Sequence, residues 1–308
     1  MEIKLKHKGI QRITLENLQE HQPKKDYFVG LDSDGTIFDS MELKHKDCFL
    51  GALIRVFGLA LIAHEVHLVW NYVNIFSSTR GTNRFKALIL TFDYLRKFKR
   101  IQQLNIQFPP LKVLEKWVLS SRFLSNESLE QVIADLPKSE KPPIETVLEW
   151  SKEVNRMVKA TVFNLPPISG SLEAINFLHS YADLVVISNT PIDTLQREWS
   201  ENNIEKNVLY IGGQETGTKT EMSIALAKEK YAQDNILIIG DSPGDLIAAQ
   251  AVNALFFPIL QTKEEESWHN FNSEGCENFL NGVYTGSYQN EQINQFKSSL
   301  ASSPPWST

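Results

Sequence analysis

Four short apolar runs along the chain share one design. Residues 27–32 (Tyr-Phe-Val-Gly-Leu-Asp), 183–188 (Asp-Leu-Val-Val-Ile-Ser), 207–211 (Asn-Val-Leu-Tyr-Ile) and 235–240 (Asn-Ile-Leu-Ile-Ile-Gly) are continuously hydrophobic rather than alternating. Each runs into a cluster of turn formers: Asp32-Ser33-Asp34-Gly35-Thr36, Asn189-Thr190-Pro191, Gly212-Gly213 and Asp241-Ser242-Pro243-Gly244-Asp245. Such runs read as strands covered on both faces, and Ala254–Ile259 reads as a fifth. Helical patterns fill the gaps at 171–181, 193–203 and 220–231, the first with apolar residues at 172, 175, 177 and 178. Strand alternating with helix predicts an α/β fold, a Rossmann-like parallel sheet layered by helices. Ligands of such sheets sit beyond the carboxyl ends of the strands, where every polar cluster named above falls.

Residues 40–160 break the alternation. They are helix-like throughout and almost free of glycine after Gly81, which predicts an all-helical domain inserted after the first strand. Asn164-Leu165-Pro166-Pro167 is the expected return linker, because paired prolines stiffen a segment and stop helices. The expected division is a polar extension at 1–25, an α/β core at 26–39 and 161–264, the helical insert at 40–160 and a polar, aromatic-dotted tail at 265–308.

Composition narrows the function classes. Of 308 residues, 42% are hydrophobic and 22% charged, which is a globular profile. A formal net charge of −6 gives no electrostatic ground for nucleic-acid binding. Cys48 and Cys276 are too few for a disulfide framework. The most apolar stretch, Cys48–Ala63, is interrupted by Arg55 and closed by Glu65, so it reads as a buried helix rather than a membrane span. The first residues lack a secretory leader pattern, and a cytoplasmic location is expected.

The strand ends carry the chemistry. Asp32 and Asp34 stand two apart at one end, and Asp241 and Asp245 at another. Carboxylates converging on one crevice repel each other, and a hard divalent cation relieves this; Mg²⁺ suits carboxylates, phosphate and water. Ser188 offers a hydroxyl, and the backbone N–H groups of Asn189 and Thr190 would open a helix, a ready anion site. Lys219 could neutralise a carboxylate nucleophile and a phosphoryl oxygen. In the insert, Thr79–Arg84 is a short polar loop whose Arg80 and Arg84 offer forked donors for phosphate or carboxylate.

Asp32-Ser33-Asp34-Gly35-Thr36, Ser188-Asn189, Lys219 and Gly240–Asp245 come in the order and at the strand ends typical of the haloacid dehalogenase superfamily. The insert resembles the helical cap of its phosphoglycolate-phosphatase-like and β-phosphoglucomutase-like members. The resemblance implies that Asp32 is a nucleophile forming an aspartyl-phosphate and that Asp34 protonates the leaving oxygen and then activates water. It also implies that Mg²⁺ is held by Asp32, the Asp34 carbonyl and Asp241, with Asp245 beside or behind them. Ser188, Asn189, Thr190 and Lys219 would hold the phosphoryl group, and Arg80 and Arg84 would read the leaving group. Two positions depart from the pattern: Ser33 stands where a larger apolar residue is usual, and Thr220 follows the lysine where proline is common. The leading expectation is a phosphatase of a small phosphorylated metabolite. A phosphomutase and a non-catalytic phospho-ligand binder are the alternatives. A dehalogenase would need neither metal nor Asp34.

Overall fold

The computed structural model describes residues 13–306. Residues 1–12 of the expected N-terminal extension lie outside the described residues. Five strands form one sheet: β1 (Tyr27–Leu31), β2 (Ala182–Ile187), β3 (Tyr210–Gly212), β4 (Ile236–Gly240) and β5 (Leu255–Pro258). Their order is β3-β2-β1-β4-β5, and every pairing is parallel. β3 starts later than its apolar run because Glu205–Asn207 forms a single tight helical turn.

The unbroken hydrophobicity of the strands has a direct cause. Strand side chains alternate between faces. Val29, Leu31, Leu184, Val186, Leu237, Ile239, Leu255 and Phe257 fall into one buried cluster with Ala174, Ile175, Trp199 and Trp268. Phe28, Val185, Ile187, Ile236, Ile238 and Phe256 fall into another with Met222, Leu226 and Leu246. Each face therefore has its own helical layer. Each fully buried aliphatic side chain contributes about 1.5–3 kcal/mol.

The chain builds outward from β1 to β2 and β3, then crosses back to β4 and β5. The strand order thus reverses beside β1, which opens a crevice at its carboxyl end.

Residues 41–161 contain only helices and turns among their regular elements. Their core gathers Trp70, Phe85, Phe92, Leu114, Leu129 and Trp150. The longest helix, Lys141–Thr161, opens with prolines in its first turn, where a missing N–H costs nothing. It buries Ile144, Val147, Trp150, Val154 and Val158, one stripe at helical spacing. The two linkers to the core zip together: Ile168 donates its N–H to the Ile37 carbonyl at 2.8 Å, and Phe38 bridges Pro167.

The packing of the two terminal segments, open from the sequence, is resolved by burial. The extension is not separate from the core, since Leu18 of helix Leu15–Gln19 is fully buried in the second sheet cluster. His21 bonds the Tyr231 hydroxyl at 2.7 Å, and that hydroxyl donates to buried Asp183 at 2.8 Å. The tail is equally structural. Trp268, Phe271, Phe279 and Tyr284 are fully buried against the sheet, and helix Ser287–Ser299 follows. Beyond it the chain crosses to the helical insert. Ala301 donates its N–H to the Phe76 carbonyl at 2.7 Å, and the Trp306 ring lies 5.4, 5.7 and 5.4 Å from those of Tyr72, Tyr94 and Phe98. Polar residues face outward in these segments and sparse aromatics anchor them, so average polarity conceals their packing.

Candidate active site

The nucleophile candidate is held by the end of the sheet itself. Asp32 donates its N–H to the Ile239 carbonyl at 3.0 Å, extending the β1–β4 ladder by one residue. The chain then turns sharply, with the Ser33 carbonyl accepting from the N–H groups of Thr36, Ile37 and Phe38. Gly35 sits at φ +72°, and a Cβ there would fall 2.2 Å from an Asp241 oxygen, so both conformation and space require glycine. Ser33, the unusual residue of the turn, is fully buried and accepts the Trp199 indole N–H at 3.1 Å.

Lys219 opens helix Lys219–Ala227, which is capped by Thr218 and Glu221. Its ammonium lies 2.9 Å from Asp32 and 2.7 Å from Asp245. Burial opposes its charge, but Asp245 and Asp32 more than offset that and hold its pKa above the ordinary value. Lys228, the alternative lysine, is exposed past the helix end. Asp245 has both oxygens engaged, one by Lys219 and the other by the Ser242 N–H at 3.1 Å and hydroxyl at 2.6 Å. That arrangement orients Lys219 from behind.

Asp32, Asp241 and Asp245 are buried and bring one oxygen each within 4.8 Å of one another. Burial pushes the pKa values of Asp32 and Asp241 up, and repulsion from neighbouring carboxylates adds to it, against the pull of Lys219 on Asp32 and chiefly of Arg80 on Asp241. An oxygen-only, charge-crowded donor set of this kind fits a small hard cation.

Asp34 points the other way. Its carboxylate accepts from Lys44 at 2.6 Å, from Thr190 Oγ1 at 2.6 Å and from the Ser40 hydroxyl. Burial works to raise its pKa, but Lys44, Ser40 and Thr190 outweigh burial and leave it at about 2. Lys44 also lies 2.7 Å from Glu198, which burial raises to about 7 despite that cation. Ser188 is buried and lines the cavity, its Oγ accepting from the Thr190 N–H at 3.2 Å. The expected helix opening at Asn189 and Thr190 is corrected: the helix begins at Ile192, because Pro191 is its cap. Thr190 therefore secures Asp34, and Asn189 Nδ2 reaches across to the Gly81 carbonyl at 3.3 Å.

The two arginines part company. Arg84 lines the cavity, its guanidinium fixed by Asn155 Oδ1 at 2.6 Å and stacked over Phe49 at 5.1 Å. Burial lowers its pKa to about 10, with Glu215 opposing, so it stays charged at neutral pH. Arg80, expected to read a leaving group, is instead 3% exposed and ion-paired with Asp241. Its Nε donates to Asp241 Oδ2 at 2.9 Å and to the Asp241 carbonyl at 3.1 Å, and its Nη1 donates to the Ile75 carbonyl at 3.0 Å.

Asp32, Asp34, Ser188, Lys219 and Asp241 thus meet on one wall of a cavity of about 110 Å³, roofed by Met41, His45, Phe49, Arg84 and Val158. His45 is neutral, because burial, helped by Arg80, lowers its pKa to about 3. Lys44, His45 and Glu198 were not singled out from the sequence. A signal existed for two of them. Glu198 falls on the apolar face of its helix with Ile192, Leu195 and Trp199, and Lys44 on that of Met41 and Cys48. A charge at a core position marks a paired group.

A buried carboxylate beside a lysine thus stands at the switch point of a parallel sheet, under a helical roof. The chain belongs to the family of haloacid dehalogenase-like hydrolases, whose model matches residues 101–259. No curated protein matches the sequence. Similar solved structures include a hydrolase from Pseudomonas syringae, at 14% identity and TM-score 0.44, covering 82% of this chain and 98% of that one. Another is a HAD-superfamily hydrolase of subfamily IA, variant 1, from Geobacter sulfurreducens PCA, at 15% identity and TM-score 0.38, covering 76% and 88%. A third, described as a predicted phosphoglycolate phosphatase from Haemophilus somnus 129PT, has 13% identity and TM-score 0.46, covering 77% and 86%. No described helix is long and apolar enough to cross a membrane.

Proposed function

We propose that this hydrolase is a phosphatase that transfers the phosphoryl group of a small phosphorylated substrate to Asp32 and then to water. The observation that carries the reading is Asp32 itself, fixed at the end of β1 with Lys219 at 2.9 Å and open to the cavity. Its carboxylate attacks phosphorus, the ester bond breaks, and an acyl phosphate forms on Asp32. The side chains of Asp32 and Asp241, with the Asp34 main-chain carbonyl, are the residues that would hold Mg²⁺, backed by Asp245. Bound there, the cation supplies charge neutralisation for the nucleophile and the phosphoryl oxygens.

Lys219 and Ser188 present donors to the phosphoryl group. Asp34, ionised with a pKa of about 2, is ready to take a proton from water in the second step. For the first step it must first gain a proton from solvent and carry it to the leaving oxygen, while Lys44, whose own pKa Asp34 and Glu198 hold up against burial, stays charged and orients it. Arg84 with Met41, Phe49 and Val158 offers a leaving group one charged contact on a mainly apolar wall.

The test is hydrolysis of an aryl phosphate with Mg²⁺ and with chelator, on wild type and Asp32→Asn. Metal-dependent release that disappears in a folded Asp32→Asn protein is the expected result. Release that survives the substitution removes Asp32 as nucleophile.

A further inference from the structure

Arg80 has no role in the chemistry just described, yet it is among the most buried charges in the molecule, at 3% exposure. It belongs to the cap, and it makes its ion pair with Asp241 in the core. The contact is multiple: two guanidinium nitrogens reach Asp241 Oδ2 and one of them also reaches the Asp241 carbonyl. The third nitrogen is fixed by the Ile75 carbonyl of its own segment. A Cβ on Gly35 would come 2.9 Å from Arg80 Nη2, so the guanidinium lies against the turn that follows Asp32. The next residue seals the contact. Gly81, at φ +72°, packs on Ser242 so tightly that a Cβ would fall 2.6 Å from the Ser242 Cβ.

Charge makes this placement consequential. Asp32, Asp241 and Asp245 carry three negative charges, and Lys219 serves two of them. Arg80 serves the remaining one. A divalent cation held by Asp32 and Asp241 would draw on the same carboxylate, with a guanidinium as its immediate neighbour. The two positive groups repel, and each weakens the other's hold on Asp241.

We infer that Arg80 is an internal counter-ion that competes with Mg²⁺ for Asp241, so that metal binding and the seating of cap loop 77–82 oppose one another. The inference rests on the proposed role of Asp241 as a metal ligand. It assigns Arg80 to the control of metal affinity rather than to the substrate. Coupling between sites ordinarily amounts to a factor of about 5 to 150, which sets the size of the effect.

The experiment is calorimetric titration of the full chain with MgCl₂ alone, in the absence of substrate. Wild type, Arg80→Gln, Gly81→Val and Asp241→Asn are compared. Arg80→Gln removes the competing charge. Gly81→Val retains the arginine but forces the loop off Ser242, and it decides the matter should Arg80→Gln not fold. Both are expected to bind Mg²⁺ at least about fivefold more tightly than wild type, at unchanged stoichiometry. Asp241→Asn is expected to lose binding. Affinity in Arg80→Gln, or in Gly81→Val where that protein decides, that equals wild type or is weaker, while Asp241→Asn still loses binding, overturns the inference and leaves the metal site standing. Binding that is absent from wild type and both loop variants, or that survives Asp241→Asn, overturns the metal reading and the inference with it.

Discussion

Replacing Glu198 with glutamine removes a charge that the fold holds at a cost. Glu198 is fully buried on the inward face of helix Ile192–Glu201. Its cationic neighbour Lys44 is shared with Asp34, which lies closer at 2.6 Å against 2.7 Å. One ammonium is shared between two carboxylates, and Arg197, 3.8 Å from Glu198 and half-buried, adds only a weaker pull. Burial therefore raises Glu198 from 4.5 to about 7, with the Asp34 charge adding to it and Lys44 opposing. At about 1.36 kcal/mol per pH unit, that gap is worth about 3 kcal/mol.

The sign follows from proton counting. Between pH 4.5 and 7 the folded protein keeps a proton on Glu198 that the unfolded chain has lost, so stability falls as pH rises through this window. Asp34 behaves oppositely. Its pKa of about 2 contributes stability that is lost only below about pH 4, and equally in both proteins. Glutamine keeps the shape and never ionises. Glu198→Gln should therefore melt with wild type near pH 4.5 and be more stable by up to about 3 kcal/mol at pH 8, a difference of several degrees. Thermal melts of both proteins from pH 4.5 to 8.5 decide it. A difference that does not change with pH, or a wild type that is the more stable at pH 8, would refute the reasoning. It would show that the pair with Lys44 outweighs the desolvation of Glu198.

Other substitutions probe other parts of the site. Lys219→Met should lower turnover of an aryl phosphate by at least about 100-fold, read as phosphate release at saturating substrate. Ser33→Ala strands the Trp199 indole N–H in the core and should cost about 1–3 kcal/mol in chemical unfolding, with little change in turnover. Arg84→Ala should raise KM for a charged metabolite ester more than for an aryl phosphate; equal loss on both would remove Arg84 as a reader of the leaving group. Trp306→Ala empties the aromatic notch formed by Tyr72, Tyr94 and Phe98 and should speed proteolysis within residues 41–161.

Much of this architecture was legible because sheet burial writes itself into composition. A strand covered on both faces needs apolar residues at both parities, and β1, β2 and β4 obey that requirement. Their polar ends were conspicuous by contrast, and those ends supplied Asp32, Ser188 and Asp241 to the cavity. Two kinds of information stayed hidden. Where a few aromatics do the anchoring, as Phe271, Phe279 and Tyr284 do in the tail, window-averaged polarity reads as a loose end although the segment is part of the core. Contacts between distant elements were hidden too. That the Thr190 hydroxyl donates to Asp34 is a contact between elements more than 150 residues apart, which no local pattern displays.

Arg80 and Arg84 show the limit most sharply. Both are arginines of one short cap loop, four residues apart and equal in every property a sequence displays. The left-handed turn at Gly81 separates their fates. Before it, the chain drives Arg80 down onto Asp241; after it, Asn83 caps helix Arg84–Leu95 and turns Arg84 toward Asn155 and the cavity. Residue type therefore announces that a loop handles anions, but backbone geometry decides which anion each arginine meets. In this molecule one of the two anions is the protein's own candidate metal ligand. With Asp241 as a metal ligand, as proposed above, a charge at the seam between insert and core would act on the site through that one carboxylate.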